Sequence, residues 1–500
     1  MKKLLYIIPL LLAGCSENYT ITAEINESES FQTIDGFGAS DAWTIQFSDR
    51  WPATAVNQAA EWLFSNETFD DGTPKGAGLS IWRFNLGAGS AYQDAKAEIN
   101  PMTRTECFLM PDGSWDFSRQ SAQVNFMKKA QQLGVNTFVA FLNSPPVYFT
   151  QNGLATNTGR GGTFNLKNDC YDQFADFMAK SVKGLKDNYD INISYICPVN
   201  EPDGHWNWQG PKQEGTPATN AEVARITRCL DKALTNENLD TKILVNESSD
   251  YRAMVGVHQT ESDRGFAIQT LFNKDSSSNV CGLKHVDNLI AGHGYWTNTP
   301  LNYLKTMREN LRDTLNKFSV KFWMTEQCIM SNDDEIGGGH GFDTTMRTAL
   351  YVARCIHHDI VYAGAASWQW WRGIGEDYKD GLLEDFGEET WNSGKLSDSR
   401  LLWVMGNYSR FVKPGAKRIA SKLSVDENPE GLMITSYKNT DDSVISVIIN
   451  YSDKEELVKF PKKISAVYVT DDQPGNKLKC HKDVKTVAAV PAKSVVTVVY

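Results

Sequence analysis

The chain has 500 residues, 41% of them hydrophobic, 11% aromatic and 22% charged, and at roughly 100–200 residues per domain this is room for several domains or for one large α/β barrel with an appendage. Fifty basic against sixty-one acidic residues leave a net charge of −11, which argues against a nucleic-acid binder, since such a protein needs a basic face to neutralise phosphates. The aromatic content and the even mixing of charge exclude a charge-driven disordered chain.

Lys2 and Lys3 precede an apolar run from Leu4 to Leu12, too short for a bilayer crossing, which takes about 20 residues. The run ends in Leu12-Ala13-Gly14-Cys15 and resembles a bacterial lipoprotein signal. That resemblance implies cleavage before Cys15, lipidation of its thiol, and a soluble body held at the outer membrane of the bacterial envelope, at its periplasmic face or at the cell surface. Residues 1–15 are thus expected to be an address. Eight further cysteines (Cys107, Cys170, Cys197, Cys229, Cys281, Cys328, Cys355 and Cys480) contain no Cys-x-x-Cys pair. Their scatter matches neither a zinc ligand set nor a small disulfide framework, and isolated buried thiols are expected.

Residues 16–33 alternate polar and apolar side chains and are expected to add a strand to a later β-sandwich. From Ile34 to Phe411 short apolar runs alternate with amphipathic stretches. Strands are expected at Ile34–Gly38, Leu79–Asn85, Thr137–Asn143, Tyr195–Asn200, Ile243–Asn246, Asn288–Gly292, Lys321–Thr325 and Ala363–Trp370. Helices are expected at Ser118–Leu133, Tyr171–Asp187, Asn220–Thr235, Leu301–Phe318 and Phe342–Asp359. Eight strand-then-helix units predict a (β/α)8 barrel over 34–411, of α/β class, with inserted loops at Glu98–Trp115, Gln151–Leu166 and Gly204–Pro217. After Pro414-Gly415 only short β-branched runs remain, at Gly431–Lys438, Ser443–Tyr451, Ile464–Thr470 and Ser494–Tyr500, predicting an all-β sandwich over 412–500.

In such a barrel the chemistry sits where strands end at the C-terminal face. The fourth strand ends in Cys197-Pro198-Val199-Asn200-Glu201-Pro202 and the seventh in Phe322-Trp323-Met324-Thr325-Glu326-Gln327. Pro202 is expected to hold Glu201 extended. Two carboxylates across a barrel mouth suit glycosidic bond cleavage: one is protonated to release the leaving oxygen, and the other is ionised to meet positive charge at the anomeric carbon. Mutual repulsion and burial separate their pKa values. Arg83, in Trp82-Arg83-Phe84-Asn85 at the end of the second strand, is expected to keep the nucleophilic carboxylate ionised; a barrel-bottom ion pair is its alternative. Asn200 is a candidate for a sugar hydroxyl, and Asn85 and Asn143 are candidates at neighbouring strand ends. Glu247, ending the fifth strand, suits a cation partner equally well. Gly337-Gly338-Gly339 lacks the Lys-Ser/Thr of a phosphate loop, and His357-His358 is expected on the surface of an outer helix rather than on a metal.

The order of motifs is more telling than any one of them. Gln32-Thr33-Ile34-Asp35-Gly36-Phe37-Gly38-Ala39-Ser40-Asp41-Ala42-Trp43, then Asn200-Glu201-Pro202, Thr325-Glu326, Phe411-Val412-Lys413-Pro414-Gly415-Ala416 and Pro491-Ala492-Lys493-Ser494 resemble glycoside hydrolase family 30 across nearly the whole chain after Cys15. The resemblance implies a retaining mechanism with Glu326 as nucleophile and Glu201 as acid/base, no metal, no organic cofactor, and a monomer acting on a polysaccharide or oligosaccharide. It also places Asp41 and Trp43 at the innermost sugar, His293 and Tyr295 beside the nucleophile, and Trp368 or Trp370 under the sugar.

Two loops resemble the endo-β-1,6-galactanase branch, which cuts galactan side chains of arabinogalactan proteins: Asn143-Ser144-Pro145-Pro146-Val147-Tyr148-Phe149-Thr150-Gln151-Asn152-Gly153, and Asp203-Gly204-His205-Trp206-Asn207-Trp208-Gln209 running on to Gln213-Glu214-Gly215. Trp206 and Trp208 are candidates for stacking on sugar rings. Gln213 and Glu214 are candidates for hydroxyl contacts, with Glu214 also a rival acid. β-1,6-Glucan or xylan is the alternative substrate within the family, and a glycan-binding lipoprotein without catalysis is the alternative outside it.

Overall fold

The computed structural model describes residues 21–204, 206, 210, 212–257, 262–330, 333–375, 379–386, 393–482 and 484–500. Cys15 and the leader therefore lie outside the described residues, as do Trp208 and His205. Among the described residues, no helix is long and apolar enough to cross a membrane.

The chain begins with β1 (Ile21–Thr33) and then enters a parallel sheet of β2 (Gly36–Ser40), β3 (Ile81–Asn85), β4 (Thr137–Phe141), β5 (Ile193–Cys197), β6 (Lys242–Ile243), β7 (Val245–Ser248), β8 (Leu289–His293), β9 (Lys321–Glu326) and β10 (Ser367–Gly375). Their order is β6-β5-β4-β3-β2-β10-β9-β8-β7. β6 and β7 are two pieces of one strand separated by Leu244, so the sheet rolls nearly shut as a TIM-like barrel. The strands are short and almost wholly buried, because helices cover the outside while side chains fill the inside.

Helices Ser121–Gln132, Tyr171–Tyr189, Asn220–Asn236, Leu301–Phe318 and Met346–His358 lie between the strands. The helix at Asn220 has a sequence-readable start: Thr219 accepts from the Glu222 amide while the Glu222 carboxylate takes the Thr219 N–H, a capping box. The eighth strand departs from expectation. Asp359–Ala363 continues the preceding helix as a π turn, and the strand starts only at Ser367. It then runs past the barrel rim to pair with β11 (Gly381–Asp385), which pairs with β12 (Leu396–Asp398).

The sandwich sheet has the order β18-β17-β20-β15-β14-β13-β1-β16-β19. Its members after the barrel are β13 (Lys417–Leu423), β14 (Leu432–Lys438), β15 (Val444–Asn450), β16 (Glu456–Lys459), β17 (Ala466–Thr470), β18 (Lys479–His481), β19 (Val487–Val490) and β20 (Ser494–Val499). β1 lies antiparallel to β13, with Ala23 opposite Leu423, and parallel to β16. Barrel and sandwich share an apolar core in which Met433, Tyr437, Ile445 and Val447 join the barrel's cluster. The helix Arg400–Ser409 is bolted to β20 by Asn407, whose amide donates to Thr497 Oγ1 (2.9 Å) while that hydroxyl donates back to the Asn407 carbonyl (2.7 Å).

His357 and His358 correct a sequence expectation: both are buried. The helix that carries them faces the sandwich, and the His357 ring bonds Thr435 Oγ1 (2.8 Å) and Glu427 Oε2 (3.0 Å). The eight described cysteines are free thiols, five of them buried.

Outside the barrel wall, Asp359 gathers three donors: Arg308 Nε at 2.7 Å, Tyr251 Oη at 2.9 Å and Trp368 Nε1 at 2.8 Å. Neither Arg308 nor Asp359 exposes any side-chain surface. Asp359→Ala strands a buried guanidinium, so a loss of about 3–5 kcal/mol is expected in urea unfolding followed by tryptophan fluorescence. Asp359→Asn, which keeps an acceptor, is expected to lose less.

Candidate active site

Strand alternation decides which side chains enter the barrel. On β3, Trp82 packs outward, edge-on to Phe64 (5.0 Å) and against Phe126 (5.5 Å), so Arg83 points inward. Its guanidinium lies 4.2 Å from the Phe141 ring centroid and 5.9 Å from that of Trp371. One nitrogen bonds Glu326 Oε2 at 3.1 Å, and the other bonds Glu247 Oε2 at 2.9 Å. Arg83 thus sits at the catalytic end of the barrel, and Glu247 takes the cation-pairing role.

Glu326 reaches this point through an irregularity. Trp323 lies inside the barrel, meeting Tyr195 of β5 at 4.7 Å, while Phe322 faces out against Tyr251. Regular alternation would send Glu326 outward with Phe322. The register with β8 slips by one residue, Gly292 facing Met324 and His293 facing Glu326, which turns the carboxylate inward. β7 slips in the same way between Val245 and Ser248, with Asn246 at a left-handed φ of 60°.

Glu201 corrects the expectation drawn from Pro202. Its φ is +49°, left-handed rather than extended. The backbone holds it there: the Glu201 N–H donates to the Glu247 carbonyl (2.8 Å), and its own carbonyl accepts from Gly204 N (2.9 Å) and Trp206 Nε1 (2.8 Å). A bulky residue at positive φ is costly and persists where its surroundings over-determine it.

These departures bring Glu201, His293 and Glu326 together, with a potential ligand atom from each lying within 4.8 Å of the others. His293 Nδ1 is 2.9 Å from Glu201 Oε1 and 3.6 Å from Glu326 Oε1. Tyr295 Oη donates to Glu326 Oε1 at 2.8 Å. The trio has the donor types for a cation, but Glu326 is already held by Arg83 and Tyr295, and the fixed guanidinium charge opposes a second positive ion.

Burial pushes the Glu201 carboxyl up to about 8, with the neighbouring Glu247 charge adding to it and Arg83 opposing. Burial also raises Glu326, while His293 and Arg83 pull it back. It lowers His293, which favours the neutral ring. The Glu201 side chain keeps 15% of its surface open and Glu326 keeps 5%, so Glu201 is the more accessible of the pair.

Around the pair, Asn200 donates to Asn143 Oδ1 at 3.1 Å. Among the described residues, Asn143 Nδ2, Asn200 Oδ1, His293 Nε2 and both side-chain amide atoms of Gln327 are buried without a partner. Buried polar atoms that the protein itself leaves unpartnered suit a ligand rich in hydroxyl groups. Gln327, beside Glu326, is a residue that sequence reasoning passed over.

Other candidates stand elsewhere. Trp368 and Trp370 stack together on the outer face of β10, where Trp368 bonds Asp359, so neither is under a sugar. The tryptophan on the site side is Trp371, set edge-on to Trp43 (5.4 Å) and Phe141 (6.0 Å). Its parity with Ser367 and Gln369, which bond each other, was the available signal. Trp43 is buried with an unpartnered indole nitrogen among the described residues. Trp206 is also buried, seated against Gly204 and Gly215, and spends its indole N–H on the Glu201 backbone, so it braces the Glu201 segment instead of offering a face to sugar.

Asp41 ties strand ends together, accepting from Asn85 N (2.8 Å) and Gln123 Nε2 (3.1 Å), and burial pushes it up to about 7. The Asn85 side chain is buried and unpartnered among the described residues. Glu214 is occupied by Ser90 Oγ (2.6 Å) and Thr105 Oγ1 (2.7 Å), clamping two loops together. Trp296, at a φ of +56° against Tyr295, is a further aromatic that reaches solvent.

Comparison with known proteins agrees with this architecture. The family model described as O-Glycosyl hydrolase family 30 matches residues 20–384, and that described as Glycosyl hydrolase family 30 beta sandwich domain matches residues 415–498. An endo-β-1,6-galactanase of Hypocrea rufa is 24% identical over 254 residues, covering 48% of this chain and 51% of that protein. An exo-β-1,6-galactobiohydrolase of Bifidobacterium longum subsp. longum is 23% identical over 230 residues, covering 44% of this chain and 14% of that one. The chain thus aligns with about half of the first curated relative's length and a small part of the second's. The crystal structure of a conserved exported protein from Bacteroides fragilis superposes with a TM-score of 0.89 at 34% identity, covering 96% of this chain and all of that one. With both its barrel and its sandwich matched in chain order, the protein belongs to glycoside hydrolase family 30.

Proposed function

We propose that the protein is a retaining endo-β-1,6-galactanase, with Glu326 as nucleophile and Glu201 as acid/base. The observation that carries the mechanism is the close, unequally partnered carboxylate pair. Glu201 and Glu326 offer oxygens within 4.8 Å of each other. So close an approach supports the short carboxyl separation, about 5–5.5 Å, that covalent catalysis needs.

The partners divide the roles. Arg83 and Tyr295 both donate to Glu326, favouring its ionised form, while Glu201 has no cation bonded to it among the described residues. In the first step the Glu201 proton passes to the glycosidic oxygen as the C–O bond breaks, and Glu326 bonds the anomeric carbon. In the second, Glu201 takes a proton from water, hydroxide is delivered to that carbon, and Glu326 leaves. The galactan assignment is supported by the two loops after β4 and β5, Asn143–Gly153 and Asp203–Gly215, and by two curated relatives named for β-1,6-linked galactose substrates.

Product analysis on β-1,6-galactan, β-1,6-glucan and glucuronoxylan tests this. Short β-1,6-galacto-oligosaccharides from the wild type, lost in Glu326→Ala, are expected. Cleavage of another glycan, also lost in the variant, replaces the substrate and keeps the mechanism, whereas binding without cleavage of any of them sinks both.

The acid role has a signed pH dependence. Glu201 works protonated and sits at about 8, so kcat/KM is expected to fall as pH rises through that value. Glu201→Gln should abolish this limb and spare kcat/KM on substrates whose leaving group needs no proton, while kcat falls because the second step has lost its base.

Anchoring at the envelope through Cys15 belongs to the same proposal. Metabolic labelling with a fatty acid is expected to mark the wild type and not Cys15→Ala; equal labelling of both removes the anchor.

A further inference from the structure

The site contains three glutamates and one arginine, and the acid-and-nucleophile reading gives work to only two of the carboxylates. The third, Glu247, exposes no side-chain surface, bonds Arg83 at 2.9 Å through Oε2, and has its Oε1 buried and unpartnered among the described residues. A carboxylate placed so deep with a vacant oxygen is costly. It is also aimed by an irregular strand, through the slip between Val245 and Ser248.

Resting on the assignment of Glu201 and Glu326 above, we propose that Glu247 is a positioning residue of the reaction: it pins one side of the Arg83 guanidinium so that the other side faces Glu326, and it sets a fixed negative charge beside Glu201. A guanidinium is a planar fork whose two ends are directed by whatever holds each of them. With Glu247 in place, one terminal nitrogen of Arg83 is held from behind and the other is committed to Glu326. The same anion offsets the Arg83 charge, which otherwise draws the proton off Glu201.

The other groups bearing on this cluster are His293 from β8, Tyr295 after it, Glu326 from β9, the Cys197 thiol from β5, and Asp203 and Asp250 from the loops after β5 and β7. Of all these only Arg83 is a permanent cation. Glu247 and Asp250 both push the Glu201 carboxyl up while Arg83 pulls it down, so loss of the Glu247 charge moves it down.

The test compares wild type, Glu247→Gln and Glu247→Asp. In Glu247→Gln, shape and a hydrogen-bonding oxygen remain and the charge goes, so the alkaline limb of kcat/KM is expected to move down by about one pH unit, with the acid limb moving the same way as Glu326 loses a like-charged neighbour. In Glu247→Asp the charge stays and the reach shortens, so kcat drops while both limbs hold to within about 0.3 unit of wild type. A merely structural ion pair gives the reverse: unmoved limbs in the Gln variant, with any loss traceable to a lower melting temperature. That result overturns the proposal, as does an Asp variant shifted as far as the Gln variant is predicted to be, and this second criterion stands if the Gln variant fails to fold. A readout independent of substrate separates this claim from the galactanase assignment. The Glu201 resonance, identified in carboxyl-labelled protein as the one missing from Glu201→Gln, should titrate at lower pH in Glu247→Gln whichever glycan is cleaved.

Discussion

One guanidinium organises the catalytic end of this barrel. Arg83 lies over the Phe141 ring with Trp371 beside it, cut off from water, and its two ends reach carboxylates on two different strands. Burying a charge without partners is prohibitive, so the arginine and its glutamates hold one another in place. The Phe141 ring supplies favourable cation–π contact. His293, Tyr295 and the backbone around Glu201 are then arranged about a rigid centre.

The acidic groups reach that centre by local exceptions to regular strand geometry. A slipped register turns Glu326 inward, a second slip accompanies Glu247, and a left-handed backbone carries Glu201. A regular barrel strand shows alternate residues to the core and to the helices, which is ideal for packing and poor for converging three neighbouring carboxylates. Here the slips in β7 and between β8 and β9, with the left-handed backbone at Glu201, serve the chemistry.

That division explains what could be read from the chain alone. The eight apolar runs, the change of texture after Pro414-Gly415, and both glutamates at strand ends are consequences of burial and periodicity, and they are visible without coordinates. The helix Leu301–Phe318 has its expected limits because its apolar stripe and flanking Pro300 leave little choice. Parity near the rim is a different matter. Trp368 and Trp370 are the expected floor for a sugar, yet Trp371 is the one on the site side, because one residue of register decides between the helix layer and the site. The buried state of His357 depends on a sandwich strand some 78 positions away, and no local pattern announces such a contact. The short strands Glu456–Lys459 and Lys479–His481 carry too few residues for alternation to register.

The placement of β1 bears on how the chain acquires its fold. Its main partner, β13, is made only after the entire barrel, as the pairing of Ala23 with Leu423 shows. Throughout synthesis of the intervening segment β1 is a strand without a sheet, and such edges invite pairing with other chains. Its sequence is suited to the wait: Glu24, Glu27 and Glu29 punctuate the strand, and its outer half is largely open to water. Charge repels a second copy, and the solvated side chains leave little apolar surface on which an intermolecular sheet can grow. Pairing of β1 with β13 is therefore a long-range closure that brackets the barrel's covalent entrance and exit in one sheet.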